Sequence, residues 1–412
     1  MTASIAITVA ERLIDPAVVI NAVQKSDAAS LTHGLAGTAL LHARLSTIDP
    51  RFAAAATRHW DAAATHLRRS PTGFNGIQGG QGGLAASLIV GTGYLPDPEQ
   101  YRPQATRSAQ WLAARAIDLA NHHTIQSVES GPPWHVYDAI TGLTGIGRVL
   151  LAAAEDSHPG IEPGLTATLN TLTGILAPRD HPRPGWWLAA EHRPPRPTID
   201  PSGAASTGLA HGVAGPLAFL STAHLAGWTR PGQTDAIHHA ATWLLHWRYP
   251  DGTWPPAITG TELDNHSTPK ARGRSDAWCY GTPGIANALT HAGHALDDNT
   301  LITAVSDALD AMAARDPDDW DVEGPTLCHG HAGILQATHH TKLAIADAAA
   351  QTITNHFDTT TKFGFQHHEH GAVHDTPGLL TGAAGIAMAL ADRHDIPARA
   401  NVTTWDSLLN LS

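Results

Sequence analysis

Only two cysteines occur in this chain of 412 residues, and each stands immediately before a glycine-rich turn that opens an apolar stretch. One segment reads Trp278-Cys279-Tyr280-Gly281-Thr282-Pro283-Gly284. The other, with its cysteine forty-nine residues on, reads Cys328-His329-Gly330-His331-Ala332-Gly333. Thiolate and imidazole are donors that zinc prefers, in sets of four protein ligands for a structural site or three and an exchangeable position for a catalytic one. Cys279, Cys328 and His329 make three. No second Cys pair is present to close a cysteine cage, although a further histidine could complete it, since the chain has 28. Two thiolates neutralise the formal charge of the ion, so a third thiol brought to it would lose its proton yet stay electron-rich. That chemistry suits activation of a thiol better than hydrolysis.

The elements that must position these residues follow from a repeat. A turn of the form x-Gly-x-x-Gly recurs seven times, at 33–37, 79–83, 141–145, 211–215, 280–284, 329–333 and 381–385. Apolar residues at helical spacing follow each turn, as in Ile146, Val149, Leu150 and Ala153, or Ile285, Ala288, Leu289 and Ala292. More amphipathic helical stretches precede the turns: 52–69, 104–120, 164–177, 234–248, 299–315 and 342–356, with 8–25 serving the first. Outer helix, turn and inner helix thus alternate, which predicts an all-α, single-domain α/α toroid (a double barrel) over 1–412, built from seven outer/inner helix pairs. Closure is favoured over an open solenoid because the turns are unevenly spaced. The long inserts at 121–136, 178–207 and 249–277 carry Pro, Gly and Trp186, Trp187 and Trp254, as ordered loops near a site would. Glycine admits positive φ and close backbone approach, so each turn sets the side chain before it at a helix N-terminus. In a toroid those ends converge, bringing His33, His211, Tyr280 and His329 to one pocket with Asp138.

Composition narrows the function classes. Alanine is abundant and aromatics are few, which favours helix. A net charge of -12 with no Lys/Arg cluster argues against a nucleic-acid surface. No basic segment followed by an apolar run marks a signal peptide, and no run approaches the ~18 apolar residues of a membrane helix. The expected compartment is the cytoplasm, where two cysteines are more readily thiols or metal ligands than a disulfide.

The segments AHGVAG at 210–215, WCYGTPG at 278–284 and CHGHAG at 328–333, in that order among seven glycine turns, resemble those of the lanthionine synthetase C-like cyclases. The resemblance spans essentially the whole chain. It implies an α/α toroid with a central Zn2+ that adds peptide cysteine thiols to dehydroalanine or dehydrobutyrine, giving lanthionine or methyllanthionine rings. Carried over by position, Cys279, Cys328 and His329 are the metal ligands, with His211 of the AHG motif and Asp138 near the metal. Addition of a thiolate to the β-carbon generates an enolate that needs a proton at the α-carbon, and a histidine of pKa ~6.5 can manage that proton. Asp138 would orient His211 or take the thiol proton. The family's arginine before the WCYG cysteine falls on Arg272 or Arg274, of which Arg274 is favoured, with Tyr280 as a further pocket residue. The implied partners are a dehydrated precursor peptide and, because no kinase or lyase segment precedes the repeats, a separate dehydratase. Competing readings are a related enzyme that adds glutathione to dehydrated residues, a non-catalytic zinc-stabilised peptide-binding scaffold and, more remotely, a zinc prenyltransferase-like toroid, for which six Phe and five Tyr are few. The cluster His367-His368-Glu369-His370 with His374 has irregular spacing and is expected to form a rim loop. His33 and His331 read as histidines of the repeat.

Overall fold

Every one of the seven glycine turns runs into a helix in the computed structural model, which describes all residues except 1, 72, 74, 127–133, 191–199, 271, 272, 274, 370 and 395. In chain order the helices begin α1 (Thr2–Arg12), α2 (Pro16–Ile20), α3 (Leu35–Arg44), α4 (Pro50–Arg69), α5 (Gly80–Thr92), α6 (Arg102–Gln126), α7 (Trp134–Tyr137), α8 (Leu143–Glu155) and α9 (Glu162–Leu176). They continue with α10 (Ala214–Leu225), α11 (Gln233–His246), α12 (Gly260–Asn265), α13 (Thr282–Leu296), α14 (Asn299–Ala313), α15 (His331–Thr338), α16 (Leu343–Asn355) and α17 (Ala383–Arg393). Among the described residues, strand is confined to two antiparallel pairs of three residues each: β1 (Ala204–Ser206) with β2 (Ala257–Thr259), and β3 (His367–Glu369) with β4 (Ala372–His374). The chain forms two compact units. Unit 1 comprises Met1–Leu112, Ala152–Ile161 and Val322–Leu408, and unit 2 comprises Ala113–Leu151, Glu162–Asp321 and Leu409–Ser412.

Two kinds of helix alternate for reasons visible in their sequences. In α4 the buried residues Phe52, Ala55, Ala56, His59, Trp60 and Ala63 fall on one stripe, while Arg58 and Arg68 face away from it. Its start is set by Pro50 and by Asp49, whose carboxylate accepts from Arg51 N at 2.8 Å. All ten residues of α3, by contrast, are buried. Helices such as α3 begin at a glycine with no side-chain cap. Expectation and structure differ at the N-terminus, where 8–25 is not one helix: α1 stops at Arg12 and Asp15-Pro16 starts α2, because proline lacks the N–H that a continuing helix needs. Within unit 1, α1 packs chiefly against α17 and only slightly against α3, so it serves the last turn of the chain rather than the first.

The glycines are required mainly for close approach. A Cβ on Gly37, Gly215, Gly284 or Gly385 would overlap the carbonyl oxygen six residues earlier (Leu31, Leu209, Trp278 and Leu379). Positive φ is needed at Gly281 (128°) and Gly80 (44°), whereas Gly34, Gly330 and Gly382 are extended. Folding back so tightly lets one turn bond the next through backbone. In unit 1, Cys328 N donates to Leu380 O (2.9 Å), Leu380 N to Thr32 O (3.1 Å) and Thr32 N to Gln78 O (3.2 Å). In unit 2, Ala139 N donates to Ala210 O (2.9 Å) and Ala210 N to Cys279 O (3.2 Å).

The α3–α4 contact also buries His42 and His59, their rings 4.9 Å apart. Thr38 Oγ1 lies 2.7 Å from His59 Nδ1, and His42 Nε2 lies 3.0 Å from Ala10 O. Burial pushes His42 down to about 4, and burial with the neighbouring His42 pushes His59 down to about 3. Both folded values lie below the unfolded ~6.5, so the stability they contribute is complete above pH ~6.5 and is lost as pH falls toward the folded values.

Two measurements check this packing. Thermal denaturation should show the melting midpoint falling on acidification below pH ~6.5, with a shallower fall in His42→Gln. Chemical denaturation should show Gly385→Ala losing several kcal/mol, about the cost of overpacking or more. Gly174→Ala, on an exposed face of α9 with open space at its Cβ, should gain ~0.5–1 kcal/mol.

Candidate active site and metal centre

In unit 2 the third glycine turn is organised by one carboxylate. Asp138 follows the single turn α7 and is fully buried. Its Oδ1 accepts from Thr141 N (2.7 Å), Thr141 Oγ1 (3.0 Å) and Gly142 N (2.7 Å), which closes the turn that leads into α8. Its Oδ2 faces His211 Nδ1 at 2.6 Å. The same carboxylate therefore folds its own turn and holds the histidine of the next, whose side chain is 33% exposed. Trp134 meets the imidazole edge-on, centroids 4.8 Å apart at 84°, and the Tyr280 ring lies 6.4 Å away. With Nδ1 on Asp138, the other ring nitrogen of His211 makes no hydrogen bond among the described residues, so it is the nitrogen able to exchange a proton with a ligand.

Cys279 belongs to the same unit and is buried. Thr282 N donates to Ser275 O (2.8 Å), Asp276 and Gly281 form an antiparallel bridge, and Ala277 N donates to Tyr280 O (3.1 Å). Trp278 and Cys279 thus occupy the tip of a narrow hairpin, with the Trp278 indole donating to Leu409 O at 3.0 Å. Arg272 and Arg274, the arginines expected to serve the pocket, lie outside the described residues.

In unit 1, Cys328 precedes His329, and neither cysteine of the chain is in a disulfide. His329 O accepts from Glu323 N at 2.8 Å, and the Glu323 carboxylate is 3.8 Å from His329 Nε2. That Nε2 is buried with no hydrogen-bond partner among the described residues. A ring nitrogen stripped of water and given no hydrogen bond is costly unless something else binds it, and a metal would. The hairpin β3–β4 brings two more donors to the same place: ligand atoms of His329, His367 and Glu369 lie within 4.8 Å of one another. The rim loop of the sequence reading is thus a strand pair carrying a candidate metal cluster. Burial, aided by neighbouring His329, holds His367 down to about 4. His33 Nδ1 lies 2.8 Å from Thr381 Oγ1, and burial lowers its pKa. His331 Nδ1 lies 3.0 Å from Gly324 O. His368 stacks edge-on against His356, His374 pairs with His367 in the strand register, and His370 lies outside the described residues.

Residues 25–408 match the sequence profile of the lanthionine synthetase C-like proteins. The chain belongs to that family. One curated member, the nisin biosynthesis protein NisC of Lactococcus lactis subsp. lactis, is 23% identical over 348 residues, which cover 81% of this chain and 77% of that protein. The solved structure described as nisin cyclase superposes with a TM-score of 0.76 at 20% identity, covering 94% of this chain and 93% of that one. The fold of this lanthionine synthetase C-like protein is therefore the largely helical one of nisin cyclase. No described helix is long and apolar enough to cross a membrane.

Sequence reasoning missed Trp134 as a neighbour of His211, and Thr141 as the double donor to Asp138. Thr141 could have been found, since an Asp ahead of a turn commonly accepts from the backbone and hydroxyl groups a few residues on. Removing the Asp138 carboxylate strands two buried N–H groups, so Asp138→Ala should lose ~2–4 kcal/mol in denaturant titration. Asp138→Asn, which can still accept through Oδ1, should lose less.

Proposed function

We propose that this protein is a zinc-dependent cyclase that adds cysteine thiols of a dehydrated precursor peptide to its dehydroalanine or dehydrobutyrine residues, forming thioether rings. The observation that carries the reading is the buried Asp138 carboxylate with His211 Nδ1 at 2.6 Å, an arrangement that leaves one imidazole nitrogen for proton transfer. Family membership and the cysteine positions support it. In this reading Cys279, Cys328 and His329 hold the metal, and the helices form the toroid of seven pairs. Zinc bound there would lower the pKa of the substrate thiol and keep it nucleophilic.

The remaining steps fall to side chains. As the S–C bond forms at the β-carbon, the π pair of the alkene moves onto the α-carbon and its carbonyl as an enolate. Protonation of the α-carbon completes the addition with no net redox change. His211 delivers that proton from Nε2, because Nδ1 is committed to Asp138, which fixes the tautomer and steadies the imidazolium. Trp134 and Tyr280 restrict the ring to one orientation, and Arg274 would hold the enolate oxygen. The precursor reaches the enzyme from a partner dehydratase acting on Ser and Thr, and the reaction belongs to the cytoplasm, where thiols stay reduced.

Three tests separate the parts of this proposal. Purified protein should contain about one zinc per chain, and Cys279→Ala or Cys328→Ala should abolish its retention; full occupancy in both variants contradicts the ligand set. His211→Asn should keep its zinc while ring closure slows by ~10²–10⁴, followed by mass spectrometry of thiol-alkylated product. Unchanged rate in a zinc-replete variant returns His211 to a packing role. A dehydrated peptide that lacks cysteine should stay unmodified with glutathione; an adduct would favour the glutathione-adding reading, and binding without thiol loss from any peptide would favour a scaffold.

A further inference from the structure

The hairpin that presents Cys279 is braced at its base by an ion pair. Asp276, fully buried and three residues before the cysteine, accepts from both terminal nitrogens of Arg315, Nη1 to Oδ2 at 2.9 Å and Nη2 to Oδ1. Its Oδ2 also accepts from Asp321 N (2.8 Å) and Ser275 Oγ (3.3 Å), while Ser275 N donates to Asp321 Oδ2 (3.1 Å). The first strand of the hairpin base is thereby tied to the segment that follows α14, and the returning strand is held to it through Thr282 N and Ser275 O. A guanidinium fork fixes the rotation of a carboxylate as well as its position. Two residues beyond that fixed point stand Trp278, locked by its indole, and then Cys279, whose carbonyl accepts from Ala210 N.

We propose that Asp276 and Arg315 are positioning residues for Cys279: the pair sets where the sulfur stands, and so how tightly the metal is held, an assignment that rests on the zinc reading above. A general ion pair would stabilise unit 2 as a whole. A clamp acts on one cysteine. The test uses the full zinc-loaded chain and the variants Asp276→Asn and Arg315→Lys, each keeping size while losing the paired contact. Arg315 is partly exposed, so Arg315→Lys serves where Asp276→Asn does not fold.

Competition against a zinc chelator should show affinity lowered ~10–100-fold, the usual effect of losing a group that orients a ligand. After chelation, iodoacetamide labelling mapped to each cysteine should quicken several-fold at Cys279 and stay unchanged at Cys328, with circular dichroism unaltered. Unchanged affinity and labelling in a folded variant, or equal quickening of both thiols, overturns the clamp. Wild-type protein that retains no zinc overturns the functional reading instead, and the labelling contrast between the two cysteines still decides the clamp.

Discussion

At Gly37, Gly215, Gly284 and Gly385 the carbonyl of the residue six positions back occupies the space where a Cβ would stand, and this close return of the chain on itself shapes both units. Because each turn is so tight, the residue just before it is left with a backbone N–H and C=O that reach the equivalent residue of another turn. Thr32, Gln78, Ala210, Cys279, Cys328 and Leu380 all stand at that position, and all use it. Chemistry is then a matter of which side chains the sequence places at this register and the next. Cysteine occupies the first position twice, and the next holds His33, His211, Tyr280 and His329.

Two buried aspartates use similar bonds to different ends. Asp138 spends one oxygen on the N–H groups of its own turn and the other on His211, so folding of the turn and orientation of the imidazole cannot be separated. Asp276 gives both oxygens to Arg315 and to the chain around it, at Asp321 N and Ser275 Oγ. Trp186 and Trp254 of the inserts are also structural. Trp186 meets Trp243 edge-on at 5.2 Å, and the Trp254 indole donates to Leu244 O at 2.8 Å, both on α11. Tyr137 OH, donating to Trp186 O at 3.3 Å, links that insert to the residue before Asp138.

Features with local causes were legible in the sequence. Apolar spacing and the glycine repeat placed α3, α5, α8, α10, α13, α15 and α17, and the AHG and D-x-x-x-G patterns marked His211 and Asp138, which the fold brings to hydrogen-bonding distance. Features set by distant pairing were not. Nothing near α1 says that it packs on α17, and Asp276 and Arg315 are 39 residues apart. His367 and Glu369 read as an irregular histidine run because nothing in their spacing shows the strand pairing that carries them to His329. The inserts were expected to be ordered by their tryptophans, and Trp186 and Trp254 are buried. The signal could not tell an aromatic that caps a helix from one that lines a pocket.

A direct experiment tells the proposed sulfur donors from the imidazole and carboxylate set at His329. X-ray absorption at the zinc edge of the full chain as purified reads the first coordination shell without reference to activity. The account predicts two sulfur scatterers at about 2.3 Å and nitrogen or oxygen at about 2.0–2.1 Å. A shell of nitrogen and oxygen alone, as the set His329, His367 and Glu369 would give, contradicts it.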